Sequence, residues 1–112
     1  MTQFELFCSI FYSVDAVWDN GEQNEDLRIF LSDCNPFIWA GEHSADPAMY
    51  VDFCKIINKE NISVEESYDL ASQYIEALPY YYAKGVREAF RAITKSEWLE
   101  GVNKYLSQPH KK

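Results

Sequence analysis

The amino-acid sequence predicts an all-α protein, a single compact domain over residues 1–112 with about five or six short helices and a frayed tail at about 108–112. Apolar residues recur at steps of three and four along most of the chain, which is the spacing of helices with one buried face. Two Ser/Thr-x-x-Glu capping boxes open helical stretches, and no alternation of apolar and polar residues exceeds four positions. With 112 residues and 47% apolar content, the chain is large enough to bury one core.

The first predicted helix covers residues 3–19. Its apolar face consists of Phe4, Phe7, Cys8, Phe11, Val14 and Trp18. Asn20 and Gly21 follow, and both residue types tolerate the left-handed conformation that ends many helices. A shorter second helix is predicted over residues 25–32, with two acidic residues in its first turn, where they complement the helix dipole. Its inward-facing residues are Leu27, Phe30 and Leu31.

A shaped connection is predicted between the second and third helices. Two turn motifs, at residues 32–36 and 44–47, flank a short apolar insert at residues 37–39. In the first motif, Pro36 keeps the preceding Asn35 out of the helical region. The insert, Phe-Ile-Trp, is too apolar for an exposed loop, so we expect it to fill part of the core.

The third predicted helix covers residues 47–59. Asp46 is its expected N-cap, and Pro47 occupies the first helical position, where its missing N–H leaves no hydrogen bond unmade. Its buried face is predicted to consist of Met49, Tyr50, Phe53, Ile56 and Ile57.

Three further helices are predicted in the second half of the chain. Ser63 and Glu66 form a capping box for a helix that stops at Pro79, and Pro79 can itself start the next helix. Thr94 and Glu97 form a second capping box, which opens the last helix. The expected inward-facing residues are Val64, Tyr68, Ala71, Ile75 and Leu78, then Ala83, Val86, Phe90 and Ile93, and finally Trp98, Val102, Tyr105 and Leu106. Those expected to face outward are Lys84, Arg87 and Arg91.

The cysteines and the opening residues indicate a soluble, cytoplasmic protein. Cys8, Cys34 and Cys54 lack metal-type spacing and lie in apolar surroundings, so we expect reduced core thiols. The opening stretch carries Glu5 and lacks a basic segment, which argues against a signal peptide. Its longest uncharged apolar-rich run, residues 6–14, has nine residues, too few to span a membrane.

The negative charge is concentrated in the first half of the chain. Residues 1–54 contain ten acidic residues and one basic residue, a net charge of −9. Residues 55–112 contain eight acidic and nine basic residues, a net charge of +1. Such a surface repels phosphates, which argues against nucleic-acid binding and favours a basic protein partner. The alternative is that the acidity serves only solubility.

No catalytic residue, metal site or cofactor is predicted, and we do not expect an enzyme. Residues 42–46 include the side-chain types of a hydrolase triad, but adjacency in sequence does not supply the geometry of a triad. His43 and His110 lie far apart in sequence, and no paired cysteines or H-E-x-x-H motif accompanies them. The four glycines stand alone, so no phosphate-binding loop is indicated.

Two features are candidates for partner binding. The acidic residues between positions 19 and 46 lie mostly at predicted helix ends and in the connection, where loops present side chains to a partner. The three tyrosines at 80–82 would span about 200° of a helix, which puts at least one ring outside the core. The alternative is that these rings straddle the core boundary with their hydroxyl groups in solvent. The predicted partner-binding residues are Asp19, Glu22, Glu25, Asp26, Asp33, Glu42, Asp46 and Tyr81.

Four short motifs occur together in this chain. They are Trp-Asp-Asn-Gly at 18–21, Phe-Leu-Ser-Asp-x-Asn-Pro-Phe at 30–37, Ser-Ala-Asp-Pro at 44–47 and Ile-Thr-x-x-x-Trp at 93–98. In this combination the chain resembles a group of small bacterial immunity proteins, the cognate partners of contact-dependent growth-inhibition toxins and related polymorphic toxins. The resemblance implies a helical protein that binds and neutralises a toxin domain, commonly a basic nuclease. It carries over no catalytic residues.

Two other functional classes remain open from the sequence. One is a non-enzymatic adaptor or regulatory helical module whose acidity serves solubility, and the other is an enzyme that uses His43. A partner whose binding does not respond to salt would favour the adaptor, because steering by opposite charges weakens as salt increases. Loss of an activity on substitution of His43 would favour the enzyme.

Overall fold

A computed structural model of the protein describes residues 1–21, 24–37 and 41–107, and within these ranges it contains six helices and no strand. The helices are α1 (Gln3–Asp19), α2 (Glu25–Cys34), α3 (Pro47–Ile56), α4 (Val64–Glu76), α5 (Ala83–Arg91) and α6 (Lys95–Ser107). The helices form one domain with a Cα radius of gyration of 12.8 Å. The predicted all-α, single-domain fold is therefore confirmed.

Helix α1 is the centre of the fold, because it packs against each of the other five helices. Neighbours on several sides bury more of α1 than one stripe. Leu6 and Ile10, which lie outside the predicted apolar face, are 0% and 1% exposed. Phe4 and Phe11, which lie on it, are only half-buried and pack against the edge of the core. A single helical stripe therefore underestimates the buried surface of a helix that is surrounded.

The ends of α2 and α3 differ from the predicted boundaries. Helix α2 continues to Cys34, so residues 32–34 are helical rather than part of a turn. Asn35 then leaves the helix at φ −50° and ψ 112°, as predicted. Helix α3 ends at Ile56 instead of residue 59, and Ile57 adopts φ −104° and ψ 75°. This change of direction places Ile57 in the core at 2% exposure and leaves Ile56 at 38%, so the predicted burial of Ile56 is wrong.

The apolar insert of the connection is described only at Phe37. The Phe37 ring is half-buried, with its centroid 6.1 Å from that of Phe11 and 5.5 Å from that of Tyr12. Its backbone N–H donates to Asn35 Oδ1 at 2.9 Å, which fixes the turn that follows α2. Ile38 and Trp39 lie outside the described residues, so their burial stays a prediction.

The start of α5 differs most from the prediction. The helix begins at Ala83 and not at Pro79, so residues 80–82 form a turn and the argument from helical spacing does not apply to them. Arg87, predicted to face outward, is half-buried and donates from Nη2 to the Leu78 carbonyl oxygen at 2.6 Å. That hydrogen bond holds the start of the α4–α5 connection against α5.

Both predicted capping boxes are present. The Glu66 N–H donates to Ser63 Oγ at 3.2 Å at the start of α4, and the Thr94 N–H donates to Glu97 Oε1 at 2.9 Å before α6. In α6, however, Leu106 is 37% exposed, so its predicted inward orientation is wrong. Leu106 lies in the last turn of the helix, just before Ser107 ends it.

Two of the three cysteines that were predicted as core thiols are buried. Cys8 and Cys34 are buried thiols, whereas Cys54 is only half-buried. Burial raises the pKa of the Cys8 thiol to about 12, and burial also raises the pKa of Cys34.

Within the ranges that the structure describes, no helix has both the length and the apolar composition needed to cross a bilayer.

Asp46 caps α3 and also ties the connection to α2. Asp46 Oδ1 accepts the Ala48 N–H at 3.1 Å, and the Asp46 N–H donates to the Asp33 carbonyl oxygen at 2.9 Å. Buried Ser44 completes this corner, because its Oγ donates to the Asp46 carbonyl oxygen at 2.5 Å and accepts the Tyr50 N–H at 2.9 Å. The predicted N-cap is confirmed.

We expect Asp46→Ala to lower the free energy of unfolding by about 1 kcal/mol, because it removes the acceptor for an N–H at the start of α3. Urea unfolding followed by circular dichroism measures the change. Asp46→Asn is the matched control and should retain most of the stability, since its side-chain oxygen can accept the same bond. Equal losses for the two variants would mean that the charge, and not the cap, stabilises this corner.

Candidate functional site

Among the described residues, the most exposed large aromatic side chain lies in the turn between α4 and α5. This tyrosine turn consists of Tyr80, Tyr81 and Tyr82, and the three rings have different environments. Tyr82 is 3% exposed and belongs to the core, Tyr80 is half-buried, and Tyr81 is 84% exposed. The turn therefore places one tyrosine inside the protein and presents the preceding one to solvent.

Contacts with α2 and α3 hold the tyrosine turn in place. The Tyr82 ring packs against Phe30 of α2 at a centroid distance of 6.4 Å, and its hydroxyl donates to Met49 Sδ of α3 at 3.3 Å. The Tyr80 ring stacks on Tyr82 at 5.3 Å, and its hydroxyl donates to Asp52 Oδ2 at 2.5 Å. The exposed Tyr81 ring meets the Tyr82 ring edge-on at 5.4 Å and 80°. The Tyr81 ring is thus in contact with a ring that α2 and α3 hold in place.

Asp26 of α2 supplies the cap that α5 lacks locally. Tyr82, the N-cap residue of α5, makes no side-chain capping bond. Instead, Asp26 Oδ2 accepts the Gly85 N–H at 2.9 Å. The approach is so close that a Cβ on Gly85 would lie 2.6 Å from both Cβ and Oδ2 of Asp26. Asp26, predicted as a partner-binding residue, therefore has a structural role in joining α2 to α5.

Three carboxylates interact with Tyr80 or Tyr82 of the tyrosine turn. This acidic rim consists of Asp33 from α2, Asp46 from the connection and Asp52 from α3. Burial raises the pKa of Asp33, and the neighbouring Asp46 charge raises it further. Burial also raises the pKa of Tyr80, as do the hydrogen bond to Asp52, the charge on Asp52 and, less strongly, the charge on Asp46. Because these acids repel one another, negative charge is in excess at the acidic rim.

No protein-family model, curated protein or solved structure gives a match to this chain. What points to a function is therefore the chain's own surface and its sequence motifs.

The other predicted partner-binding residues, Asp19, Glu22, Glu25 and Glu42, are not part of the acidic rim. Asp19 is exposed at the end of α1, where it raises the pKa of half-buried Asp15 in addition to the effect of burial. Glu25 pairs with Arg28 at the start of α2, and Arg28 lies close enough to Tyr81 to interact with it electrostatically. Glu42 is exposed, and its charge acts on Cys8, Tyr50 and Cys54 instead. Glu22 lies outside the described residues.

The structure thus brings together four of the predicted residues, Asp26, Asp33, Asp46 and Tyr81. It adds two that are not among the predicted partner-binding residues, Asp52 and Tyr80, although Tyr80 belongs to the run of tyrosines that the sequence indicated as a candidate. Their hydrogen bond joins positions 28 residues apart, and no local pattern in the sequence signals such a pair. Only the packing of α3 against the α4–α5 connection creates it.

The side chains that resemble a hydrolase triad hold the connection together instead. His43 is exposed, while the buried Ser44 hydroxyl is engaged with the Asp46 carbonyl oxygen and the Tyr50 N–H. A groove of about 230 Å³ runs between α1 and α6, and the carboxylate on its lining, Glu97, caps α6. Among the described residues, no group of three or more metal-binding side chains comes together.

Proposed function

We propose that this chain is an immunity protein that binds a cognate basic nuclease toxin domain in the cytoplasm and neutralises it by blocking its active site. The observation that carries the proposal is the concentration of acidic side chains from α2, the connection and α3 at the tyrosine turn. Asp33, Asp46 and Asp52 act electrostatically on Tyr80 or Tyr82, the residues on either side of exposed Tyr81. The resemblance of four sequence motifs to immunity proteins points to the same function.

The chemistry of a nuclease explains why an acidic inhibitor suits it. A nuclease attracts phosphates, so the cleft that holds its substrate is basic. An inhibitor whose first 54 residues carry a net charge of −9 is drawn to that cleft by the field that attracts the substrate. Once bound, it needs only to occupy the cleft, so it requires neither a catalytic residue nor a cofactor of its own.

Co-expression tests the function directly. Where a gene next to this one encodes a toxin domain, cells that produce that domain should grow when the chain is co-expressed and stop growing when it is not. Growth arrest in both cases, together with no complex between the two purified proteins, would contradict the proposal. A complex whose affinity does not change between low and high salt would instead favour an adaptor, because steering by opposite charges is screened by salt.

Charge reversal tests which half of the chain attracts the partner. We expect replacement of Asp19, Glu25 and Glu42 by lysine to lower the association rate constant at low salt by about tenfold or more and to flatten its dependence on salt. All three residues are exposed, so the free energy of unfolding should change little. Stopped-flow association at several salt concentrations measures both effects. Asp26 stays in place because it caps α5.

A matched control makes the same change of charge elsewhere. Asp69, Glu88 and Glu100 are exposed acids of α4, α5 and α6, and their replacement by lysine also adds six positive units. This control set should slow association much less than the first set. If the control set abolishes protection and the first set does not, the later helices form the binding face and the assignment to the acidic half is wrong.

A further inference from the structure

We infer that the tyrosine turn, together with Ile56 and Pro79 beside it, is the docking surface at the centre of the complex with the basic partner. In this inference the Tyr81 ring is the anchor on which a lysine or arginine side chain of the partner packs. The inference rests on the proposed function and assigns to it a specific surface and a specific contact.

The surface combines exposed apolar groups with a recess. Tyr81 is 84% exposed and Ile56 is 38% exposed, and Pro79 is exposed between α4 and the tyrosine turn. Ile56 and Pro79 line a recess of about 230 Å³ together with Tyr80 and the oppositely charged Asp52 and Lys55. Single exposed apolar residues are common on protein surfaces, but a group of them beside a concave site is typical of a binding surface.

The support beneath Tyr81 reduces the entropy that binding would otherwise cost. Its neighbours Tyr80 and Tyr82 are stacked 5.3 Å apart and nearly parallel, and each is hydrogen-bonded to α3. The backbone of the turn is therefore ordered before a partner arrives. A tyrosine side chain has few rotatable bonds, so a preorganised tyrosine gives a large contact area at a small entropic cost. Residues of this kind dominate the energetics of many interfaces.

The acidic side chains that act on Tyr80 and Tyr82, next to Tyr81, select the class of partner. Asp33, Asp46 and Asp52 favour a cation near the tyrosine turn, and a cation is also attracted to the face of an aromatic ring. Arg28, a basic residue that interacts electrostatically with Tyr81, is paired with Glu25. Phosphates would be repelled by the acidic rim, which argues for a basic protein surface and against a nucleic acid as the occupant.

The anchor and the more distant acids should affect different rate constants. Charges act mainly on the association of proteins, whereas a desolvated anchor acts mainly on the lifetime of the complex. The probe is a purified, catalytically inactive form of the toxin domain used in the co-expression experiment. With this probe, we expect Tyr81→Ala to raise the dissociation rate constant at least about tenfold. The association rate constant and its salt dependence should stay within about twofold of those of the unchanged protein.

Two variants control for side effects. Tyr81→Phe keeps the ring, so its dissociation rate constant should stay within about threefold of that of the unchanged protein. Leu106→Ala removes a 37%-exposed apolar side chain from α6 and should leave dissociation unchanged. Because Tyr81 is exposed, urea unfolding should give the same midpoint for Tyr81→Ala and the unchanged protein.

Each alternative outcome separates the inference from the function. If the toxin domain binds and Tyr81→Ala dissociates at the unchanged rate, the inference is overturned while the immunity function stands. Equal losses for Tyr81→Ala and Tyr81→Phe would also overturn it, because the ring would not be the anchor. If Tyr81→Ala instead changes the sedimentation of the protein alone, the surface joins two copies of this chain. If the toxin domain does not bind the unchanged protein at all, the proposed function fails, and the inference fails with it.

Discussion

Replacing Trp98 by alanine is expected to lower the free energy of unfolding by about 3–5 kcal/mol. Trp98 of α6 is 0% exposed and joins three helices. Its ring lies 5.8 Å from that of Phe90 in α5 and 6.2 Å from that of Tyr68 in α4, and its indole Nε1–H donates to Ser67 Oγ at 2.9 Å. Alanine would leave a large cavity at the junction and remove the donor to Ser67. Urea unfolding measures the loss.

Two substitutions separate packing from hydrogen bonding at Trp98. Trp98→Phe keeps most of the apolar volume and removes the indole donor, so it should cost less than Trp98→Ala. Ser67→Ala keeps the ring and leaves a buried N–H without its acceptor, which costs about 1–3 kcal/mol. If Trp98→Ala changes the free energy of unfolding by less than about 1 kcal/mol, the ring is not the link between α4, α5 and α6 that these contacts indicate.

Gly85→Ala and Gly101→Ala are expected to change stability in opposite directions. Gly101 lies in α6, and a Cβ there would meet nothing within 4 Å. Its replacement by alanine should raise the free energy of unfolding by about 0.5–1 kcal/mol, because alanine restricts the unfolded chain and favours the helix. Gly85 is also helical, but its Cβ would lie 2.6 Å from Cβ of Asp26. Since that atom belongs to the base of the side chain, α2 must move, and we expect a loss of about 1–3 kcal/mol.

The double variant with Asp26→Gly identifies the source of the loss. Removing the Asp26 side chain eliminates the atoms that a Cβ on Gly85 would meet, so Gly85→Ala should be much less damaging in that background. Thermal unfolding of the four proteins in this cycle gives the coupling energy. A stabilising effect of Gly85→Ala in the unchanged background, similar to that of Gly101→Ala, would show that α2 and α5 are not in close contact at this point.

The parts of this fold that could be predicted from sequence are those that depend on residues close together in the chain. The Asp46 cap, the capping box of Ser63 and Glu66 and that of Thr94 and Glu97 each involve residues no more than three positions apart. Their geometry is fixed by the helix that they begin, so the sequence pattern is sufficient.

The parts that could not be predicted depend on helices meeting. The bond between Asp26 and Gly85 joins residues 59 positions apart, and that between Asp52 and Tyr80 joins residues 28 positions apart. Tertiary contact also moved the start of α5 to Ala83, because the tyrosine turn is held by α2 and α3 instead of continuing the helix. The sequence indicated that one tyrosine would be exposed, but it could not show which residues would support it.

Because Asp26 of α2 caps α5, the surface around the tyrosine turn depends on the folding of the whole domain. Helix α5 has nine residues, too few to persist in water without tertiary contacts, and its N-terminal N–H is satisfied from α2. We therefore expect neither α5 nor the turn before it to have a defined shape until α2 has packed against α5. A synthetic peptide that spans residues 79–91 would therefore lack the shape of the intact surface, however faithfully it copied the tyrosines. A partner that docks on Tyr81, as proposed, would therefore find this surface only on the folded chain.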